Sequence, residues 1–335
     1  MAALAALAAL ALVFSSAGSA RGAADYRVAV VTDVGSLQDR SFNELANKGR
    51  TTLDGLDGFE TRLYETKVAA DRLPNLIAAA QSGNNLVFGT GFLMFDSLDK
   101  VVPRFPNTYF AGIDVGSFLL SQKYPNYIGI QFAEHEAGYL VGYLAGLQVK
   151  REGKGNVIGA VGANNVPPIL RFMSGYIQGA KKAYPKVKTL VNFANDPTFS
   201  DQAKCKEQAL NQIQKGARVI FQIAGGCGLG VHSAAKEKNV WSIGVDADQS
   251  NLGPQVLTSA IKKVDLSVVN LAKFLKAYPS TKGGRDIVYT AKSGSVGLGT
   301  ISKKVNPADV ADVKAIQAQM AKGKIKVIDI LPQFK

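Results

Sequence analysis

Carboxylates stand at the ends of three short apolar runs in this sequence. Asp33 follows RVAVVT, Asp114 follows NTYFAGI and Asp246 follows VWSIGV. Such runs predict parallel strands, and ligands of parallel sheets bind beyond the carboxyl ends of the strands. Ionised carboxylates form hydrogen bonds roughly twice as strong as neutral groups do. The pattern predicts a crevice for a ligand with vicinal hydroxyl groups, such as a ribose, although each aspartate alone also fits a helix N-cap.

The loop after the first predicted strand carries a second group of chemically capable residues, Asp39, Ser41, Phe42 and Asn43. Core packing poorly explains a large aromatic side chain between a cap serine and an asparagine at a helix start. A flat base gains about 1–3 kcal/mol per face stacked on an aromatic ring, and amide side chains can read ring nitrogens. The loop predicts a site for a planar heterocycle, and a core or hydrophobic-staple Phe42 is the alternative.

Glycines at other predicted strand ends, Gly91, Gly225 and Gly226, allow backbone donors to approach a ligand closely. The run AGGCGLGVHSA, residues 224–234, is not a G-x-G-x-x-G motif, so a nucleotide-cofactor enzyme is only an alternative hypothesis. The two histidines and two cysteines lack the spacing of a metal site. We predict neither a metal, nor a cofactor, nor a catalytic residue. Cys205 and Cys227 can pair in an oxidising compartment, and two separate buried thiols are the alternative.

The remaining pattern predicts the elements that position these residues. A helix over 41–56 begins with Ser41 as N-cap and Glu44 in a capping box, and a second helix covers 133–149. Strands are predicted at 27–33, 85–90, 107–114, 126–132, 156–162, 188–193, 217–226 and 240–248. The tail, with 257–263, 286–290 and 326–331, crosses back and completes both sheets. We therefore predict an α/β protein with an N-terminal lobe of 27–132 plus 263–293 and a C-terminal lobe of 133–262 plus 294–335.

The first twenty residues, rich in alanine and leucine, predict a secretory signal peptide that is cut near Ala20, although they lack the usual lysine or arginine. No cysteine occurs before Cys205, so we expect a free periplasmic protein without a lipid anchor. The formal net charge is +13, but the basic residues are spread along the chain without interleaved aromatics. This spread predicts a solvated basic surface and no nucleic-acid binding.

Several segments together resemble the basic membrane protein family of substrate-binding proteins, whose characterised members bind purine nucleosides for ABC transporters. The segments are VAVVTDVGSLQDRSFNELANKG, PPILRFMSGYIQGAKKAYP, VIFQIAGGCGLGV, VWSIGVDADQ and LTSAIKKVD. The resemblance implies the type I periplasmic-binding-protein fold, with two Rossmann-like lobes, three crossings, a ligand cleft between the lobes and hinge closure. It also implies a membrane permease as partner, and we expect a monomer. A sugar or another small polar ligand is the alternative to a nucleoside.

The same resemblance implies roles for individual residues. Asp33 and Asn43 would lie near the base, Phe42 would stack on it, and Asp114 and Asp246 would bind ribose hydroxyls. Lys262 or Lys263 would add a polar contact. For the second stacking ring, Phe199 is the first choice by location and Phe172 the next, while Phe221 is expected in the core. The predicted ligand-binding residues are Asp33, Asp39, Ser41, Phe42, Asn43, Gly91, Asp114, Phe172, Phe199, Gly225, Gly226, Asp246 and Lys262.

Overall fold

The computed structural model describes residues 25–334, and within this range strands alternate with helices. The strands are β1 (Tyr26–Val31), β2 (Phe59–Tyr64), β3 (Leu86–Thr90), β4 (Tyr109–Ile113), β5 (Tyr127–Phe132), β6 (Val157–Gly162), β7 (Lys188–Phe193), β8 (Ala217–Ile223), β9 (Trp241–Asp246), β10 (Val256–Lys262), β11 (Arg285–Tyr289) and β12 (Val296–Leu298). The helices are α1 (Phe42–Asp54), α2 (Arg72–Gln81), α3 (Phe95–Val101), α4 (Glu134–Glu152), α5 (Pro167–Ala183), α6 (Gln202–Gln214), α7 (Leu229–Glu237), α8 (Val264–Ala277) and α9 (Pro307–Ala321). The signal peptide predicted for residues 1–20 lies outside the described residues.

The strands form two sheets of six. The first has the order β11-β5-β4-β3-β1-β2 and is parallel throughout, and the second has the order β12-β10-β9-β8-β6-β7. In the second sheet β12 alone runs antiparallel, beside β10. Helices cover the sheets, which explains why central strands such as β3 and β5 are buried along their whole length. The predicted two-lobed α/β architecture is confirmed.

The chain passes between the two sheets three times. The crossings lie between β5 and α4, between β10 and α8, and between β11 and β12. After the second crossing, α8 packs against α1 of the first lobe, while α4 packs against α5 of the second. Residues at the carboxyl ends of strands from both sheets line one cavity, so these ends of the two sets of strands face one another. Within residues 25–334, no helix has both the length and the apolar character that crossing a bilayer demands.

The capping box predicted at the start of α1 is wrong. The Ser41 side chain makes no capping hydrogen bond. Instead the Asp39 carboxylate accepts from the backbone N–H groups of Ser41, Asn43 and Glu44, at 2.8, 2.8 and 3.1 Å. Asp39 stands two residues earlier, and its two carboxyl oxygens accept from three backbone N–H groups at once, which a single hydroxyl cannot do. The hydroxyl of Ser41 is therefore free to serve the site described below.

The strand predicted at 326–331 is also wrong, because this segment lies along α5 and joins neither sheet. The side-chain amide of Gln178 donates to the carbonyl of Ile328 at 2.7 Å and accepts from its N–H at 3.0 Å. Leu331 N–H donates to Ser174 Oγ at 2.9 Å. The helix side chains thus satisfy the backbone groups that a neighbouring strand would otherwise bind. The last strand of the second sheet is β12, and β2, a half-exposed edge strand, was missed from the sequence.

Cys205 of α6 and Cys227 of the 3-10 turn 225–228 form a disulfide, with their Cα atoms 5.6 Å apart. Both residues are completely buried. The alternative of two separate buried thiols is therefore excluded.

Helices α4 and α5 approach each other closely through glycine. A Cβ atom built on Gly175 would overlap the carbonyl oxygen of His135 and come within 2.7 Å of the backbone nitrogen of Tyr139. We expect Gly175→Ala to lower the free energy of unfolding by about 1–3 kcal/mol, because backbone on both sides leaves the methyl group no room. Urea denaturation measures this change. Gly55→Ala, at an exposed glycine with a φ of −78° and no close neighbour, is the control and should change stability by less than about 0.5 kcal/mol.

Candidate ligand-binding site

A cavity lies between the lobes, beyond the carboxyl ends of both sets of strands. About 700 Å³ of empty space lies within it, including open solvent at its mouth. The predicted site residues that line it are Asp33, Asp39, Phe42, Asn43, Gly91, Asp114, Phe172, Phe199, Gly225, Asp246 and Lys262. The structure thus brings together residues that stand as far as 229 positions apart, from Asp33 to Lys262.

Two predicted residues, Ser41 and Gly226, stand behind the cavity wall and do not line it. The Ser41 hydroxyl donates a 2.6 Å hydrogen bond to Asp246 Oδ2, from one lobe to the other. Gly226 packs on the backbone of Phe199, since a Cβ there would stand 3.3 Å from the Phe199 carbonyl oxygen. Both residues therefore act on the cavity through a neighbour.

Lys262 is the cation at the centre of the site. Its buried Nζ lies 2.7 Å from Asp114 Oδ2 and 3.0 Å from Glu134 Oε1. It also lies 5.0 Å from the ring centres of both Phe42 and Phe132. Burial alone would lower the pKa of Lys262, but the carboxylates of Asp114, Glu134 and Asp246 raise it above its usual value. The side chain therefore remains an ammonium and joins the two lobes.

Asp114 and Asp246 hold their carboxylates with strained backbones. Their φ angles are 66° and 61°, in the left-handed region that residues with a side chain rarely adopt. Burial raises the pKa of Asp246 to about 7, against the opposing effects of Lys262 and the Ser41 hydroxyl. Burial likewise raises the pKa of Asp114, opposed by Lys262. Asp114 Oδ1 is buried and has no hydrogen-bond partner within the described chain, so it can accept one from a ligand.

Asp33, Asn43 and Gly91 of the first lobe also line the cavity. Asp33 Oδ1 accepts from Arg72 Nε and from Val34 N–H, each at 2.7 Å. Burial raises the pKa of Asp33, and Arg72 opposes this effect. Gly91 has a φ of 104°, and a Cβ on it would lie 3.2 Å from Asp33 Oδ2, so glycine keeps that oxygen accessible. Asn43 Oδ1 is buried and lacks a protein partner in the described range.

Aromatic rings enter the cavity from both lobes. Phe42 comes from the first residue of α1, Phe172 from α5, and Phe199 from the loop before α6. Phe199 is half-buried and has a φ of 54°, whereas Phe172 is buried and packs edge-on against Phe221 at 6.0 Å. Phe221 is fully buried, which confirms its expected place in the core.

Sequence reasoning missed the apolar part of the wall and two charged residues behind it. The missed lining residues are Val34, Phe92, Leu93, Val166, Pro168, Ile169, Ile223, Ala224 and Val245. Glu134 is fully buried between Lys262 and Arg171, and Arg171 Nη1 lies 3.6 Å from its Oε2. The position of Glu134 directly after β5 was the signal that could have revealed it. Among the described residues, no group of histidine, cysteine, aspartate and glutamate side chains could hold a metal ion.

Comparisons of the sequence identify similar proteins over almost its full length. A family model described as ABC transporter substrate-binding protein PnrA-like matches residues 26–332. The ABC transporter nucleoside-binding protein BmpA of Lactococcus lactis is 33% identical, over 94% of this chain and 90% of that protein. The CD4+ T-cell-stimulating antigen of Listeria innocua is 32% identical, over 92% of this chain and 90% of that protein. An uncharacterized lipoprotein of Pyrococcus abyssi is 31% identical, over 91% of this chain and 74% of that protein.

Solved structures with the same fold include ABC transporter solute-binding proteins. One from Aeropyrum pernix superposes with a TM-score of 0.81 at 25% identity, over 91% of this chain and 93% of that chain. Another from Conexibacter woesei has a TM-score of 0.70 at 24% identity, over 91% of this chain and 99% of that chain. The family match over residues 26–332 and the relatives at 32% and 33% identity show that the chain belongs to the PnrA-like family of ABC transporter substrate-binding proteins.

Proposed function

We propose that this protein captures a purine nucleoside between its lobes and delivers it to the permease of an ABC importer, without catalysis. One observation carries the proposal: a single cavity is lined by aromatic rings from both lobes and by Asp114 and Asp246 near the buried Lys262. The nucleoside-binding name of the Lactococcus lactis relative supports the same ligand class.

In this proposal the base lies between Phe42 and a ring of the second lobe, Phe199 or Phe172. Stacking supplies about 1–3 kcal/mol per face. Asp33 and Asn43 present hydrogen-bonding groups to the base edge, where Asn43 Oδ1 lacks a protein partner in the described range. Asp114 and Asp246 accept hydrogen bonds from the ribose hydroxyls.

The proposed lobes are 27–132 plus 263–293 and 133–262 plus 294–335, and they close about the three crossings. Contacts between the lobes favour closure: Ser41 Oγ binds Asp246 at 2.6 Å, and Gln249 Nε2 donates to the Arg40 carbonyl at 3.0 Å. Closure would trap the ligand and present a joint surface to the permease. We propose a periplasmic monomer. The lipoprotein name belongs to the Pyrococcus abyssi relative and is not carried over to this chain.

The test is calorimetric titration of the mature protein, unfolded and refolded to remove bound ligand, with adenosine, guanosine, inosine, cytidine and ribose. We expect one-to-one binding of a purine nucleoside and its recovery unchanged by chromatography. Recovery of free base would identify an enzyme. Binding of ribose alone, or of nothing in the panel, would overturn the nucleoside assignment and direct the search to sugars.

Nucleoside affinity is expected to fall about 10- to 30-fold between pH 8 and pH 5.5. Burial raises the pKa of Asp246 to about 7, so its carboxyl gains a proton over this range. A protonated carboxyl loses acceptor capacity toward the ribose hydroxyls, and the ligand must displace the proton in order to bind. Titrations in buffers with different ionisation enthalpies measure both the Kd and the protons released.

Asp246→Asn is the matched control for this pH dependence, because the amide keeps the shape but does not titrate. Its affinity should be weaker at pH 8 and should change less with pH than that of the wild type. The same slope in both proteins would assign the effect to another group.

A further inference from the structure

The disulfide lies directly behind one wall of the cavity. Cys227 belongs to the 3-10 turn 225–228, whose first residue, Gly225, lines the cavity. Cys205 lies in the first turn of α6, just after the loop that carries Phe199. The covalent bond therefore joins the two segments that form this wall, and both of its residues are completely buried.

A hydrogen bond connects the same two segments on the cavity side. Cys227 N–H donates to the Phe199 carbonyl oxygen at 2.9 Å. Gly225 and Gly226 also stand against this carbonyl, since a Cβ on either would come within 3.4 and 3.3 Å of it. The position of the Phe199 backbone thus depends on where the turn 225–228 is held.

The Phe199 loop is held from its other side by Asp196. The Asp196 carboxylate accepts from the N–H groups of Thr198, Ser200 and Asp201 at 3.0, 2.7 and 2.8 Å. Between these anchors, Phe199 keeps a φ of 54°, a conformation that persists in such a residue only when its surroundings enforce it. Asp196 and the disulfide-linked turn therefore both restrain the Phe199 loop.

Loss of the disulfide would leave other contacts between these elements intact. Gly230 of α7 packs so closely on Gln202 of α6 that a Cβ there would overlap the Gln202 carbonyl oxygen. Helices α6 and α7 also pack along their length. The second lobe can therefore keep its fold while the Phe199 loop and the turn 225–228 gain freedom.

We propose that the Cys205–Cys227 disulfide is a positioning element of the ligand site, which holds the Phe199 ring and the Gly225 backbone in the conformation that binds the base. Its effect on affinity rests on the proposed function, whereas its effect on the rigidity of the wall does not. Without the bond, the free protein samples more conformations of this wall, and part of the binding free energy is spent in ordering it.

The first arm of the test is a double-mutant cycle on nucleoside affinity. The variant carrying Cys205→Ala and Cys227→Ala should bind about tenfold more weakly, mainly through faster dissociation. In a Phe199→Ala background, the same cysteine replacements should weaken binding by a clearly smaller factor, because the ring is gone and only the Gly225 backbone remains to be positioned. Equal losses in both backgrounds would overturn the positioning role.

Val313→Ala is the control for a general loss of stability. Val313 is a fully buried residue of α9 in the second lobe and does not line the cavity. This variant should lower the unfolding temperature and leave the Kd within about twofold of wild type. If it weakens binding as much as the cysteine variant does, the disulfide acts only through stability.

The second arm, hydrogen exchange of the ligand-free protein, does not depend on the ligand. Amides of 196–201 and 224–228 should exchange at least tenfold faster in the cysteine variant, while those of α9 should not change. Unchanged exchange in 196–201 overturns the proposal even if the nucleoside assignment stands. Failure of the wild type to bind any nucleoside overturns the proposed function alone. If this variant does not fold, the variant carrying Cys205→Val and Cys227→Ala, which fills more of the buried volume, replaces it in both arms.

Discussion

Lys262→Met is expected to lower the free energy of unfolding by about 3–5 kcal/mol at pH 8, because it leaves buried carboxylates without their cation. Lys262 Nζ lies 2.7 Å from Asp114 and 3.0 Å from Glu134, and it also stabilises the charge of Asp246. Methionine fills much of the same volume but cannot supply the charge or the hydrogen bonds. Arg171, 3.6 Å from Glu134, would remain as the nearby cation at that carboxylate.

The loss should be smaller at pH 5. Burial already raises the pKa of Asp246 to about 7 and raises that of Asp114, and removal of Lys262 would raise both further. At pH 5 these carboxyls would be protonated and neutral, so the missing cation would matter less. In the wild type the same raised pKa values mean that the folded form holds protons which the unfolded form releases near pH 4. The contribution of these two carboxyls to stability should therefore fall as the pH rises from about 4 to about 7, while the buried His232, whose pKa burial lowers to about 4, contributes in the opposite direction.

Lys263→Met is the matched control, since this neighbouring side chain is exposed. It should change the free energy of unfolding by less than about 0.5 kcal/mol at either pH. Urea denaturation of the ligand-free wild type, Lys262→Met and Lys263→Met at pH 5 and pH 8 measures the free energy of unfolding of each protein. A loss for Lys262→Met that is the same at both pH values would show that packing, and not buried charge, is the source of its effect.

The position of the carboxylates could be predicted because two independent rules agree at them. Valine and isoleucine runs mark buried strands, and parallel strands direct the residues that follow them to one edge of the sheet. Asp33, Asp114 and Asp246 each follow such a run, and all three line the cavity. The order of the strands and the crossings between the lobes bring these three carboxylates to one cavity.

The apolar wall could not be predicted in the same way. Val166 and Ile169 line the cavity, but an apolar residue at the start of a helix has the same pattern whether it faces core or ligand. Glu134 was not predicted as part of the site because its partner, Lys262, stands 128 positions away in the sequence. The packing of α4 beside β10 brings the two residues together. Buried ion pairs of this kind depend on tertiary distance, which local patterns do not contain.

The wrong predictions also fail because tertiary contacts override local sequence patterns. Ser41 and Asp39 are both good N-cap residues, and propensity alone does not decide between them. In the folded protein the Ser41 hydroxyl has a partner in the other lobe, Asp246, which no local rule includes. The segment 326–331, KVIDIL, is a short run rich in valine and isoleucine, as many strands are, but Ser174 and Gln178 of α5 take its backbone hydrogen bonds.

Phe42→Ala is expected to raise the Kd for a purine nucleoside by about 5- to 150-fold, the equivalent of one stacked face at about 1–3 kcal/mol. Phe42 is half-buried and lines the cavity, whereas the face of α1 that packs into the first lobe is formed by Leu45, Ala46 and Leu53. The replacement therefore removes a ring from the ligand site and leaves the helix anchored. Calorimetric titration measures the Kd, and a circular-dichroism melt measures the fold.

Two further replacements decide what the Phe42 ring does. Phe42→Leu keeps most of the apolar volume but removes the flat face, so it should recover stability without recovering affinity. Phe118→Ala, at an aromatic residue that is 68% exposed and does not line the cavity, should leave the Kd unchanged. If Phe42→Ala unfolds the protein while Phe42→Leu restores both fold and affinity, the ring serves as a core or staple residue, and stacking on a base must come from the second lobe alone.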